Sequence, residues 1–254
     1  MPWTFAHPAA VLPLRRLADA GYLSFPALLV GCITPDVVYH VGRWDLGRLT
    51  HSPLGVLLVD VPTGALLLWL CSVLREPVAG LLPQPHRAGL MSVRFFGARW
   101  RDAGITVLSL ALGAGTHLLW DSFTHETAFF VRAFDWLGWS VPFLGREFRV
   151  YKLLQYGGSL VGVTALVIAY RRHSARVIAL NSCRCETSNF GWLAAMVGIA
   201  VALALPISWI ESTSAFGEVN LHKLLVRQVA YSTSAFVVLV VVVAVIRACR
   251  VGRA

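Results

Sequence analysis

Five apolar runs, at residues 54–74, 103–123, 153–170, 190–210 and 229–246, each reach the length that an α-helix needs to cross a hydrocarbon layer. A segment in lipid must satisfy its backbone polar groups internally, and a continuous apolar run of this length does so as a helix. Composition agrees: the chain is 57% hydrophobic and only 14% charged, where a soluble domain carries roughly a quarter charged residues. The expected fold is therefore all-α, a polytopic membrane helical bundle with five to six spanning helices. The sixth segment, residues 22–41, is interrupted by Pro26, Gly31 and Pro35, and the Pro35–Asp36 step is expected to end its helix. Two arrangements are open for this N-terminal part. Residues 22–41 span fully, or residues 9–18 and 24–34 form a short helical hairpin that does not cross and returns His7 to the level of Asp36. No internal repeat is visible, so residues 1–254 read as a single integral membrane domain. Within it, 1–159 carry the candidate chemistry and 160–254 supply C-terminal membrane helices.

The formal net charge of +9 comes almost wholly from arginine. In a membrane chain such an excess sets topology and attracts anionic head groups, so membrane lipids are expected partners and nucleic acid is not. Lys and Arg are more numerous in the loops 75–102 and 171–189 and the tail 247–254 than in the alternate loops. That bias places the first set, with the C-terminus, in the cytoplasm of a multi-pass protein of the cell (inner/plasma) membrane. It puts His51, Asp121 and His125 near the outer face. The opening residues lack the basic and apolar regions of a signal peptide. The five cysteines fit no disulfide framework, and Cys183-Arg184-Cys185, in a basic loop, reads as inert thiols rather than a metal site.

Chemistry concentrates at the end of the second run, in His117-Leu-Leu-Trp-Asp121-Ser-Phe-Thr-His125. Three ionisable side chains at i, i+4 and i+8 share one helix face, and such groups in a membrane segment mark functional sites. Imidazoles around a carboxylate suit a zinc-like ion. His117 and His125 lie roughly 12 Å apart along a straight helix, too far for one ion to take both. Asp121 lies midway, where its carboxylate could bridge two ions, one shared with each His. His7, His40 and His51 also sit at the edge of apolar elements beside turn signals. Ser52 and Pro53 read as the N-cap and first turn of the 54–74 helix, directly after His51. A lone interfacial His is ordinarily an amphipathic anchor, and Asp121 alone could pair with Arg146 or Arg149. Asp60, beside Pro62, reads as a core acid bonding backbone freed by the proline. The aromatic stretch around Trp136 and Trp139 reads as an interfacial belt or lid. Gln155 and Tyr156, at the polar start of the third run, could reach the site as hydrogen-bond donors.

The opening Met1-Pro-Trp-Thr-Phe-Ala-His7-Pro-Ala-Ala-Val-Leu-Pro-Leu resembles an uncharacterised bacterial membrane-protein family whose members begin MPFT-x-SHPA-x-x-LPL. Further matches are Gly31-Cys-Ile-Thr-Pro35-Asp36, His51-Ser52-Pro-Leu-Gly55, the His117–His125 stretch, and Gln155-Tyr156, so the resemblance covers nearly the whole chain. More widely, the order His, Asp, His, His-x3-Asp, His is similar to the ligand order of the zinc-dependent phospholipase C and single-strand nuclease fold. It is also similar to that of bacterial membrane-bound metal-dependent hydrolases. The resemblance implies His7, Asp36, His51, His117, Asp121 and His125 as metal ligands. The chain departs from the soluble enzymes in lacking a His-x3-Glu after His125 and an N-terminal Trp ligand, although Trp3 is near.

Together these point to a membrane-bound metal-dependent hydrolase using one or two zinc ions, or another first-row divalent metal. A phosphoester of a lipid or lipid-linked substrate at the interface is the expected target. Asp36, His51, His117 and Asp121 would hold the main ion, and His7 and His125 would complete a second site with Asp121. Asp36 is the candidate base, and Arg146, Arg149, Gln155 and Tyr156 are candidate substrate contacts. The alternatives are a non-catalytic metal-binding or transport protein, and a haem protein ligated through His117 and His125.

Overall fold

A computed structural model of the chain describes residues 3–97, 99–143, 145–181, 191–214 and 217–251. Cys183 and Cys185 lie outside the described residues. The architecture is almost entirely helical. Five helices are long and apolar enough to cross a membrane: Pro53–Ala79, Trp100–Ala133, Val150–Leu180, Gly191–Ser212 and Leu221–Arg250. Large apolar side chains on them stay uncovered, among them Leu160, Val161 and Ile210, each about 70% exposed. A water-bathed monomer seldom leaves such faces open.

The N-terminal part takes the hairpin arrangement. A 3-10 helix at Thr4–Leu14 runs into α1 (Arg15–Asp19), turns at Gly21, and returns as α2 (Phe25–Gly31). Each helix is too short to span. Ser24 caps α2, its side chain accepting from Ala27 N, with Pro26 in the first turn. Contrary to expectation, Pro35 does not end a helix. The first helix stops at Gly31, and Pro35 sits in the opening turn of α3 (Thr34–His40), where a missing N–H costs no intrahelical bond.

The cap at the first apolar run is as the sequence indicates. Ser52 accepts from Gly55 N at 3.0 Å and Pro53 opens α5 (Pro53–Ala79), after α4 (Gly47–Thr50). The first turns of α5 include a π-helical stretch, Val56–Asp60. Next come α6 (His86–Met91), α7 (Trp100–Thr124) and α8 (Phe129–Ala133). The belt-or-lid segment holds the β-hairpin β1 (Ser140–Phe143) and β2 (Arg146–Arg149), paired antiparallel and turned at Gly145, where φ is 73°. Then follow α9 (Val150–Asn181), α10 (Gly191–Ser212) and α11 (Leu221–Val251).

The chain divides into two compact units. The first comprises residues 1–36, 47–72 and 94–173. Its core is built where α2 lies on α7. Added Cβ atoms would meet Leu110 O at 2.3 Å from Gly31 and Leu28 O at 2.4 Å from Gly113. Only glycine at both positions lets the two backbones approach so closely. The second unit comprises residues 37–46, 73–93 and 174–254. In it α10 buries every fourth residue, Met196, Ala200, Ala204, Ser208 and Ser212, the small-residue spacing of close helix pairing in membranes. Gln228 of α11 donates to Val201 O at 2.8 Å. His40 also belongs to this second unit, its Nδ1 lying 3.0 Å from Ala230 O.

Candidate metal centre

Five sequence-predicted residues converge in the first unit: His7, Asp36, His51, His117 and Asp121. They come from the 3-10 helix, α3, the turn before α5, and α7. His51 Nε2 lies 3.4 Å from Asp36 Oδ1 and 3.5 Å from Asp121 Oδ2. His117 Nε2 lies 3.7 Å from Asp36 Oδ1 and 3.4 Å from Asp121 Oδ2. Two nitrogens and two oxygens thus alternate around one point. These separations exceed the 2.7–3.2 Å of an N–H···O bond. Each lies in the range that separates two neighbouring ligands of one ion with metal–ligand bonds of about 2.0–2.2 Å.

The backbone sets the imidazoles for that task. His117 Nδ1 lies 2.7 Å from Cys32 O, and His51 Nδ1 lies 2.9 Å from Gly47 O. A carbonyl can only accept, so each Nδ1 carries the proton and each Nε2 is turned to the centre, the outer-shell arrangement of metal-ligating histidines. Cys32 O is available because α2 has ended, Pro35 offers no N–H three residues on, and Asp36 N bonds Ile33 O instead. The Nε2 of His117 has no hydrogen-bond partner among the described residues although the residue is fully buried. Such an atom calls for an ion or proton to meet it, so the donor set fits a zinc-like metal. Asp36 is held by Thr4, whose hydroxyl donates to Oδ2 at 2.6 Å.

Asp121 faces two ways. Its Oδ2 looks to His51 and His117. Its Oδ1 lies 3.6 Å from His7 Nε2 and 3.5 Å from His125 Nδ1. The His7 ring stacks on His117, with centroids 3.7 Å apart and planes within 17°. His125 meets Asp121 at the edge of the cluster. It is the C-cap of α7, its Nδ1 lies 3.2 Å from Asp121 O, and its side chain is 32% exposed. Two triads, His7–Asp36–His117 and His51–His117–Asp121, offer donor atoms all within 4.8 Å of one another.

Charge at the centre is balanced by contrast. Burial lowers the pKa of His7, and His117 lowers it further, to about 4, so this ring is neutral at ordinary pH. Burial also opposes charge on His51, but the facing carboxylates of Asp121 and Asp36 outweigh it and raise the pKa to about 10. For Asp36, burial favours the neutral acid, yet His117, His51 and the Thr4 hydroxyl hold it below the usual carboxylate range.

One reading changes. Asp60 is not satisfied by backbone freed at Pro62: it is 1% exposed and neither carboxylate oxygen has a hydrogen-bond partner among the described residues. It sits in the π-stretch and interacts electrostatically with His51, His117 and Asp36. π-turns of this kind recur at functional sites. Thr4, which positions Asp36, went unnoticed in the sequence; its place three residues before His7 was the only signal.

The candidate substrate contacts lie on other elements. Arg146 and Arg149 are exposed on β2, and Arg149 Nη1 donates to Gly138 O at 2.6 Å. Gln155 is buried in α9, accepting from Lys152 Nζ at 3.1 Å, with its Nε2 unpartnered among the described residues. Tyr156 is 54% exposed.

Fold and site define an all-α protein with membrane-length helices and a buried His/Asp cluster able to hold a metal ion. The chain belongs to the family described as domain of unknown function DUF4184, whose model matches residues 1–250. No curated protein and no solved structure matches it.

Proposed function

We propose that the protein is a metal-dependent hydrolase of the cell membrane, acting on a phosphoester of a lipid or lipid-linked substrate. The observation that carries this reading is the ring of His51, Asp36, His117 and Asp121 donors at 3.4–3.7 Å, with both imidazoles locked through Nδ1. A zinc-like ion bound there would polarise a phosphoryl oxygen and lower the pKa of water. His7 and Asp121 Oδ1 would shape a second position, with His125 at its rim. Asp36 would take the proton of the attacking water, with Thr4 fixing its orientation. Water oxygen then bonds phosphorus, the phosphorus–oxygen ester bond breaks, and the leaving oxygen takes up a proton. His51 and His125, with side chains 22% and 32% exposed, give the cluster its outlet. Arg146 and Arg149 would add positive potential for an anionic head group, and Gln155 and Tyr156 would add hydrogen bonds.

A second reading has its own support. His51, Asp36, His117 and Asp121 would supply four protein ligands, the number of a structural or storage site, whereas catalytic zinc keeps an open position. Purified protein in detergent, assayed on a panel of phospholipids and phosphodiesters with and without chelator, decides between them. Hydrolysis that the chelator abolishes and Asp36→Asn strongly reduces supports the enzyme. Stoichiometric zinc with no turnover across the panel gives the site to metal binding alone.

A further inference from the structure

The first unit carries a groove of about 280 Å³ beside the metal centre. Its floor and sides are small: Ala6, Ala9, Ala10, Gly158, Gly162 and Ala165, with Trp120 as one wall. Glycine is needed where the walls meet, since added Cβ atoms would lie 2.3 Å from the Trp120 ring at Gly158 and 2.9 Å from Ala6 O at Gly162. The groove lies among the 3-10 helix, α7 and α9, and the last two are of membrane-spanning length.

Besides the Trp120 indole, the polar side chains that line it are His7 and Ser159. Ser159 is engaged, accepting from Trp3 N at 3.2 Å and donating to Gln155 O at 2.9 Å. His7 is different: it is 5% exposed and neither ring nitrogen has a hydrogen-bond partner among the described residues. The same ring lies 3.6 Å from Asp121 Oδ1 through Nε2 and stacks on His117. The groove and the candidate metal centre therefore share one side chain as their common wall.

We propose that this groove seats a hydrocarbon chain of the lipid whose head group is presented to the His7–Asp121 side of the centre. This rests on the metal-dependent reading and names the part of the substrate that the donor cluster does not. Most of the lining is alanine, glycine and valine, with His7, Ser159 and the Trp120 indole the polar-bearing side chains among the described residues, so the occupant must be apolar over most of its length. Apolar walls between membrane-length helices take a hydrocarbon chain from the surrounding lipid without a polar group being buried unpaired. A chain seated here places the attached head group at the end where His7 meets Asp121.

The test uses the full-length protein in lipid nanodiscs containing a phosphatidylglycerol with a photoactivatable group along one acyl chain. Crosslinked peptides are mapped by mass spectrometry, and zinc content is measured on the same samples. Crosslinks concentrated on residues 6–10 and 158–165 are expected. Ala165→Phe, which narrows the groove without touching a donor, should reduce them about tenfold while zinc content stays that of the wild type. Ala10→Phe, at an exposed groove position, serves as a second filling variant should the first fold poorly. Crosslinks spread evenly over α9, α10 and α11 would overturn the proposal, since the groove would then be ordinary lipid-facing surface. Crosslinks unaffected by both variants would overturn it equally. A protein that crosslinks at the groove yet binds no zinc keeps the chain seat and removes the metal centre, so the two readings fail separately.

Discussion

Asp121 is the residue on which the candidate centre turns, because its two oxygens face different pairs of imidazoles. Its loss should therefore cost more metal than the loss of His125, which meets only Oδ1. Elemental analysis of Asp121→Ala and His125→Ala checks this, and equal zinc content in the two variants would remove the bridging role. His51 supplies a pH signature. With its pKa raised to about 10, His51 keeps a proton on Nε2 at neutral pH while no ion is bound. An ion that takes Nε2 must displace that proton, whereas His7, at about 4, has none to give. Metal affinity should then rise at least about tenfold per pH unit between pH 6 and 8, with at least one proton released per ion. Calorimetry in buffers of different ionisation enthalpy reads the proton count, and a count of zero would exclude His51 as a ligand. The donor types and the i, i+4, i+8 spacing were legible in the sequence because they are local. The carbonyls of Cys32 and Gly47, the Thr4 hydroxyl and the partnerless state of Asp60 were not. The Thr4 and Cys32 contacts span 32 and 85 residues of chain, and the Gly47 carbonyl, only four residues before His51, depends on α4 stopping at Thr50.

Between elements, the decisive contact is α2 against α7, because it brings Cys32 O to His117 and fixes the ring. Gly31 and Gly113 set that distance. A methyl group at Gly31 would sit 2.3 Å from Leu110 O, a backbone atom that cannot turn aside. Gly31→Ala should force the helices apart, destabilise the first unit by about 1–3 kcal/mol, and weaken zinc binding although no ligand is changed. Gly115→Ala, on α7 with open space around the added methyl, should leave zinc binding at the wild-type level. Thermal unfolding and zinc titration of both variants test the pair. If both bind zinc as the wild type does, helix approach does not position His117. The apolar runs announced five long helices because length and hydropathy are carried by each segment alone. The hairpin of short N-terminal helices was visible only as one of two arrangements. Pro35 was placed at the wrong end of its helix, since a proline is compatible with the close of one helix and the first turn of the next.

At the scale of the whole molecule, every candidate ligand belongs to the first unit, while α10 and α11 pair in the second. An ion that ties together the 3-10 helix, the start of α3, the turn before α5 and the end of α7 links segments up to about 120 residues apart in sequence. Such cross-links between distant segments restrict opening far more than contacts within one helix. Binding of the native state alone stabilises by about 2.7 kcal/mol when free ion is a hundredfold above its dissociation constant. That gain should be confined to the unit that holds the ligands. Hydrogen exchange of detergent-solubilised protein, with zinc and then with chelator, should show protection lost over residues 4–14, 34–36, 47–60 and 113–125. Residues 191–212 and 221–250 should be unchanged. The Asp121→Asn variant keeps the shape of the side chain and removes its charge, so it should exchange as the chelated wild type does and ignore added zinc. Protection that falls equally in both units on chelation would mean that the ion acts somewhere other than the His/Asp cluster.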